Sequence, residues 1–300
     1  MKRHIKRSIC IVVCLVALVG TSATSVSSAS SSSLSGDFIL GKQAAKGFWG
    51  DKGKEFITTV AVLDALNTLG DITNKNYEGG VSYIDYYISD NNDYYSKQVS
   101  VLNRAREYIT DDSERLAYSV LEESGGVSFD RGYYPDPLTT ASVLQTLTEV
   151  DYQDSSVNKK VTISLMLYYL ANSQNQDGGW TPVSGGKPTT LATAQVLESL
   201  LAYKGMKIQN LGGKDIYIDY VIQRALSFLS NGQGQDGLWD KDLASTLYAF
   251  PLIKKTAYPI LYEETLRTKI KELQGPDGSY GEGDVFLTAL AIPTLKLIGE

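Results

Sequence analysis

An 11-residue segment recurs along this chain and constrains its fold more than any other feature. Residues 170–180 read LANSQNQDGGW, and residues 229–239 read LSNGQGQDGLW, with seven residues in the same places. Residues 270–280, IKELQGPDGSY, keep one Gln, the Asp-Gly pair and a final aromatic residue, whereas residues 39–49, ILGKQAAKGFW, carry Lys46 in place of the Asp. The last three copies, which begin at residues 170, 229 and 270, return after about 40 to 60 residues. A unit that recurs in this way, each time before a Thr/Ala/Leu-rich segment, is typical of a repeat architecture.

The residues shared by the copies are suited to structural work. Asp-Gly predicts a tight turn, because Gly accepts positive φ. The aromatic residue can bury a large area while an indole N–H meets a partner, and the Gln can bond backbone groups left open at a helix end. We interpret the motif as structural rather than ligand-binding. Its members are Gln43, Trp49, Gln174, Asp177, Gly178, Trp180, Gln233, Asp236, Gly237, Trp239, Gln274, Asp277, Gly278 and Tyr280.

The segments between the copies have the period of helices. In residues 57–69, for example, apolar side chains return at spacings of three. No stretch alternates as a strand would, so the sequence predicts an all-α protein. Thr/Ala/Leu-rich helices are predicted at 57–69, 138–150, 191–203, 243–254 and 285–298, and further helices at 99–109, 113–123, 157–172, 216–229 and 259–273. Residues 71–96, rich in Tyr and Asp, are predicted to form a long excursion with one helix.

The N-terminal 29 residues have the pattern of a secretory signal peptide. Four basic residues precede an apolar run of 12 residues at 9–20, which is too short to span a bilayer, and small residues allow cleavage after Ala23 or Ala29. A retained anchor is the alternative. Residues 30–37 are nearly all small or Ser and are predicted to be flexible, and residues 38–300 form the repeat domain.

Removal of this segment limits the chemistry of the mature chain. His4, Cys10 and Cys14 leave with it, and they are the only His and Cys residues. Disulfide, thiolate and Ser-His-Asp chemistry are therefore excluded, and we expect no metal and no cofactor. The 24 basic residues that remain face 34 acidic ones, a net charge of about −10, which argues against nucleic acid and anionic membranes as partners.

The pattern Gln-x-x-Asp-Gly-x-Trp between helices resembles the repeat of terpenoid cyclases and of protein prenyltransferase β subunits. Residues 174–180 and 233–239 match it fully, 274–280 closely and 43–49 in part. The resemblance covers residues 38–300 and implies an α/α toroid, in which inner helices surround a central cavity and outer helices enclose them. The Thr/Ala/Leu-rich helices would form the inner set. About five hairpins imply a small or partial ring, unless the excursion supplies another.

The chemistry of the resembling proteins has no counterpart in the mature chain. Prenyltransferases hold zinc with Asp, Cys and His, and squalene-type cyclases protonate their substrate with an Asp-x-Asp-Asp motif. Residues 90–93, DNND, come nearest to that motif, and we interpret them as a solvated loop.

Acidic residues before the predicted inner helices are the candidate ligand-binding groups. Asp136, Asp242 and Asp284 each precede one of these helices, where an Asp also serves as a helix cap. If the helices start at one mouth of the ring, their carboxylates gather there and can support acid–base chemistry. The full candidate set is Tyr133, Tyr134, Asp136, Asp240, Asp242, Glu282 and Asp284.

Three functions remain open from the sequence. The favoured one is a secreted, non-catalytic protein that binds a small molecule, a glycan or an extracellular protein. The second is an enzyme that uses carboxylates and tyrosines, either terpenoid cyclase-like or polysaccharide-active. The third is a structural module of the cell surface. None involves nucleic acid or a membrane span in the mature chain.

Overall fold

The computed structural model describes residues 30–89, 91–106, 109–150, 159–182, 186–209 and 213–300, so the predicted signal peptide lies outside the described residues. The helices of the first half are α1 (Ser31–Leu40), α2 (Glu55–Leu69), α3 (Lys75–Asp85), α4 (Asn92–Arg104), α5 (Thr110–Ala117) and α6 (Pro137–Glu149). Those of the second half are α7 (Lys159–Ser173), α8 (Thr190–Leu200), α9 (Ile218–Asn231), α10 (Leu243–Lys255), α11 (Glu263–Glu272) and α12 (Val285–Ile298). A short antiparallel pair, β1 (Lys207–Gln209) and β2 (Asp215–Tyr217), precedes α9.

The even-numbered helices form a closed inner ring. Each packs on the next, from α2 through α4, α6, α8 and α10 to α12, and α12 packs on α2. The odd-numbered helices lie outside, one for each inner helix. The described residues thus make six hairpins. The sequence indicated about five, with another from the Tyr- and Asp-rich segment as the alternative, and that segment does supply the sixth. The sixth, α3 with α4, starts in the Tyr- and Asp-rich segment. The apolar period is weak there, because the buried residues of α3 are Tyr77, Gly80 and Ile84, and a Gly gives no apolar signal.

Contacts between inner helices show that they run in the same direction. The N-terminal ends of α2 and α4 meet where the ring of Phe56 stacks on that of Tyr94, with centroids 4.7 Å apart. Farther along the same two helices, Arg104 forms an ion pair with Asp64. The C-terminal residue of α6, Glu149, contacts Arg104 in turn. The ring therefore has one end made of helix N-termini and another made of C-termini.

The aromatic residue of each repeat is buried between the two helices of its hairpin. The three Trp side chains are fully buried. Each indole N–H donates to the carbonyl oxygen ten positions earlier, near the end of the outer helix: Trp49 to Ile39 (2.6 Å), Trp180 to Leu170 (2.8 Å) and Trp239 to Leu229 (2.5 Å). Tyr280 occupies the same place in the last hairpin and is also fully buried.

A Thr hydroxyl on the inner helix fixes the other side of this residue. The backbone N–H of the aromatic residue donates to that hydroxyl over 2.9–3.0 Å in four hairpins, and Val127 does the same in the hairpin of α5 and α6. The pairs are Trp49–Thr59, Val127–Thr140, Trp180–Thr193, Trp239–Thr246 and Tyr280–Thr288. The Thr side chains are buried and must face the loop to accept this bond, so the bond fixes the rotation of the inner helix about its own axis.

The turn glycines connect neighbouring hairpins. Gly47, Gly125, Gly178, Gly237 and Gly278 have positive φ. A Cβ at any of them would lie only 2.1–2.6 Å from the outer helix of the next hairpin. The last of these contacts closes the ring, because Gly278 meets Leu34 of α1.

Helix α1 is the partner that the last hairpin needs. The hydroxyl of Ser35, which is fully buried, donates to the carbonyl oxygen of Gly278 over 2.7 Å. The amide of Gln274 donates to the carbonyl oxygen of Ser31 over 2.9 Å. The prediction of a flexible segment at 30–37 is therefore wrong. The small serine side chains allow α1 to lie close to the loop of the last hairpin. Flexible linkers have a similar composition, which is why the sequence alone indicated flexibility.

Two further features concern the helices themselves. Helices α10 and α12 continue past Pro251 and Pro293 instead of ending there.

None of the helices in the described ranges is long and apolar enough to cross a membrane.

We predict that Tyr280→Phe leaves the free energy of unfolding unchanged or raises it by about 1 kcal/mol, because a buried hydroxyl without a partner costs free energy. The Tyr280 hydroxyl is buried and has no hydrogen-bond partner among the described residues. The matched control is Tyr169→Phe, which removes a 2.7 Å bond to the carbonyl oxygen of Pro135 and should lose about 1 kcal/mol. Chemical denaturation measures both, and a clear loss of stability in Tyr280→Phe would contradict the prediction.

Candidate functional site

The inner helices enclose a central cavity of about 200 Å³. Its lining follows the repeat, because the Thr hydroxyl bond gives the inner helices a common rotation. Residues two positions after the repeat Thr line the cavity in five hairpins: Ala61, Ser142, Gln195, Tyr248 and Leu290. Residues five positions after it line the cavity in four of them: Asp64, Gln145, Glu198 and Pro293.

An ion-pair network covers the wall made by α2, α4 and α6. The guanidinium of Arg104 contacts Asp64 Oδ1 at 2.5 Å, Glu149 Oε2 at 3.3 Å and Ser100 Oγ at 2.7 Å. The Ser100 hydroxyl donates to the same Glu149 carboxylate. The charge of Arg104 is therefore neutralised by protein carboxylates.

The second cation of this wall is also engaged. The Lys97 ammonium forms an ion pair with Asp93, one turn earlier on α4, and lies 3.4 Å from the Ser142 hydroxyl of α6. Asp93 itself lines the cavity. The prediction of a solvated loop at 90–93 is thus wrong for Asp93, which lies in the first turn of α4. Asp90 is outside the described residues.

The facing wall, on α8 and α10, carries polar groups that the protein leaves unbonded. The Gln195 amide, the Glu198 carboxyl and the Tyr248 hydroxyl line the cavity, and none has a hydrogen bond or ion pair within the described part of the chain. Between this wall and the ion-pair network lies α12. It contributes an apolar surface of Phe286, Ala289, Leu290 and Pro293.

Enclosure by the ring shifts the titration of the cavity acids. Burial raises the pKa of Asp64 to about 6, with Arg104 opposing the shift and Glu149 adding to it. About 50% of the Asp64 side chain is exposed, and it faces the cavity. Water therefore reaches the carboxylate, although the ring of helices surrounds the cavity. Burial also raises the pKa of Glu198, against the attraction of Lys255. The pKa of the Tyr248 hydroxyl is raised by burial and by the nearby carboxylates, so it stays protonated.

The acidic residues chosen from the sequence lie at the end of the ring made of helix N-termini. The carboxylates of Asp136, Asp242 and Asp284 accept the third backbone N–H of α6, α10 and α12, over 2.7–2.9 Å. Burial raises the pKa of Asp136. Asp240 and Glu282 are exposed, with positive φ. None of these five lines the cavity.

The two candidate tyrosines are solvent-exposed on the loop before α6. Tyr133 is 69% exposed and Tyr134 is 91% exposed, and neither is part of the cavity wall. Ligand contact by the seven sequence candidates stays a prediction. The structure instead brings together Asp64, Arg104, Glu198 and Tyr248, which sequence reading did not select.

A signal for two of these missed residues was present in the repeat. Asp64 interrupts the apolar helix ITTVAVLDALNTL, and Glu198 interrupts LATAQVLESL. Each lies five positions after the Thr that bonds the repeat Trp. Aligning the helices on this Thr would have placed both acids on the face that points into the ring. No group of three or more His, Cys, Asp or Glu in the described ranges is arranged to hold a metal ion.

The similarity of this chain to known proteins is a similarity of fold only. No family model and no curated protein matches the sequence. A protein from Actinoplanes has a TM-score of 0.65 at 15% identity, over 90% of this chain and 99% of its own. The type II terpene cyclase MstE from Scytonema has a TM-score of 0.63 at 13% identity, over 88% and 96%. This chain folds as an α/α toroid.

The same toroid fold occurs in proteins of different chemistry. The α-1,6-mannanase GH76A of Salegentibacter, as an inactive variant, has a TM-score of 0.60 at 9% identity and covers 90% of this chain and 99% of its own. The resemblance of the repeats to terpenoid cyclases is therefore confirmed for the fold. Because the same fold occurs in a terpene cyclase and in a mannanase, the fold does not select a function, and the cavity residues must decide it.

We predict that Asp242→Asn keeps the stability of the toroid, whereas Asp242→Ala loses about 1 kcal/mol, because Asn caps a helix about as well as Asp and Ala does not. Asp240→Asn removes the same charge two residues away without touching the cap, and serves as the control. Thermal unfolding measures the three variants. Equal losses for Asp242→Asn and Asp242→Ala would show that the charge, not the cap, matters here.

Proposed function

We propose that this protein is a secreted, non-catalytic binding protein that holds a small polar molecule in the central cavity of its toroid. The observation that carries the proposal is the unbonded polar wall of Gln195, Glu198 and Tyr248. A few polar groups that converge beside an apolar surface are typical of ligand sites. Gln195 and Tyr248 are half-buried and Glu198 is exposed to the cavity, so their polar atoms are accessible to a ligand with matching groups.

The size of the cavity supports a small ligand. Its volume of about 200 Å³ is below the roughly 300–1,000 Å³ of sites for drug-sized ligands. A molecule of monosaccharide size suits this space, with its carbon skeleton against α12 and its polar groups toward α8 and α10. Export of the mature chain, expected from the N-terminal 29 residues, would place such a site where extracellular solutes reach it.

We predict that Leu290→Trp weakens binding of a cavity ligand at least tenfold, because Leu290 lines the cavity on α12 and the larger side chain takes up its space. The experiment soaks crystals and titrates protein by calorimetry with glucose, glucosamine, N-acetylglucosamine and myo-inositol. The control is Leu261→Trp, the same substitution at an exposed position outside the cavity. Cavities that hold only water after every soak would contradict the proposed function.

Acid–base catalysis in the same cavity is a second candidate function. It is favoured by the pKa of Asp64, which burial raises to about 6, because a carboxylic acid that titrates near neutral pH can both donate and accept a proton. The Glu198 carboxyl lines the same cavity. Asp64 also forms an ion pair with Arg104, and this gives Asp64 a structural role. Catalysis is therefore the second candidate.

We predict that catalysis, if this is the function, falls at least about 100-fold in Asp64→Asn, the usual loss when a general acid is removed. The assay measures release of 4-nitrophenol from a panel of 4-nitrophenyl glycosides by the mature protein. Glu264→Gln, on the exposed side of α11, is the control for the change of charge. Turnover that Asp64→Asn abolishes would replace the binding proposal, whereas turnover equal in both variants would exclude Asp64 as the acid.

A further inference from the structure

The charges of the cavity wall leave one carboxylate without a counterion. Both lining cations are already engaged, Arg104 with Asp64 and Glu149, and Lys97 with Asp93. Glu198 also lines the cavity, and within the described ranges it forms no ion pair. Lys255 attracts it through space but stays beyond ion-pair distance. The cavity therefore favours a positively charged ligand.

The C-terminal ends of the inner helices also favour a positively charged ligand. Glu198 lies in the last turn of α8, two residues before the helix ends at Leu200. The C-terminal carbonyls of a helix carry partial negative charge and favour cations. The inner helices run in the same direction, so several such ends share this side of the ring. An anionic ligand would meet Glu198 and these ends while the two cations are occupied, and is disfavoured.

Resting on the proposed function, we propose that the cavity binds a primary ammonium compound of monosaccharide size, with its ammonium group on the Glu198 carboxylate. The Tyr248 hydroxyl and the Gln195 amide supply hydrogen bonds to the ammonium or to hydroxyls beside it. Gln195 precedes Glu198 by three residues on α8, so the two side chains share one face of that helix. Tyr248 reaches the same space from α10, the neighbouring inner helix.

The remaining walls define the rest of the ligand. The apolar side chains of α12, including Phe286 and Leu290, offer a surface for carbon atoms. The Ser142 hydroxyl and the Gln145 amide of α6 are bonded within the protein, to Ser96 and Glu149. The polar contacts of the ligand are thus concentrated on α8 and α10, and one ammonium with a compact skeleton satisfies them.

The test compares matched probes that differ only in the ammonium group. Glucosamine is titrated against glucose, and cyclohexylamine against cyclohexanol, by calorimetry at pH 7.5 in the wild type and in Glu198→Gln. We expect the amine of each pair to bind at least tenfold more tightly than its alcohol in the wild type. In Glu198→Gln this preference should disappear, because Gln keeps the shape and one acceptor oxygen but not the charge.

Two controls separate folding from binding. Glu198→Gln should unfold at about the temperature of the wild type, because the Glu198 side chain is exposed to the cavity and forms no ion pair within the described ranges. Glu264→Gln, on an exposed face outside the cavity, changes the net charge equally and should leave the preference for amines intact.

The outcomes distinguish this inference from the proposed function. Equal binding of amine and alcohol in the wild type, blocked by Leu290→Trp, would overturn the inference while the binding function stands. A preference for amines that persists in Glu198→Gln would overturn the role of Glu198. If neither probe of either pair binds, while myo-inositol or N-acetylglucosamine does, the ammonium class is wrong. If none of these compounds binds, both proposals fail.

Discussion

The hydrogen bond from the backbone N–H of each repeat aromatic residue to a Thr hydroxyl is the interaction on which the structure depends. It joins the loop to the inner helix, while the indole of the same residue bonds the end of the outer helix. One residue, such as Trp180, therefore fixes both helices of a hairpin. Because the Thr fixes helix rotation, the positions two and five residues after it, such as Gln195 and Glu198, face the cavity.

The hairpins are then joined by backbone contact rather than by side-chain packing alone. Each turn glycine, with positive φ, lies so close to the next outer helix that a Cβ would clash. The series returns to its start, because Gly278 meets Leu34. A closed ring leaves no end hairpin with an unpaired apolar face, which open repeat arrays must cover with polar capping units. This explains why a Ser-rich segment is ordered as α1.

The constant residues and the variable residues of the repeat have separate tasks. Gln, Asp, Gly, Trp and Thr build the frame, and the cavity is lined by positions that differ between hairpins, such as Asp64, Glu198 and Leu290. These positions set the charge and polarity of the cavity without altering the frame. Toroids can therefore hold unrelated chemistries, as the terpene cyclase and the mannanase among the similar structures illustrate.

The sequence by itself determined the all-α class, the hairpins that carry the motif and the toroid they imply, because turn glycines, buried aromatics and helix period are local signals. It indicated the hairpin of α3 and α4 only in part, because that hairpin lacks the motif. It did not reveal that α1 is an ordered helix, because α1 depends on contact with residues more than 200 positions away. Only the tertiary structure decided the site. Asp64 and Arg104, 40 residues apart, meet because α2 and α4 are neighbours in the ring. Within the described ranges Glu198 forms no ion pair, because both cations that line the cavity are bonded to other carboxylates.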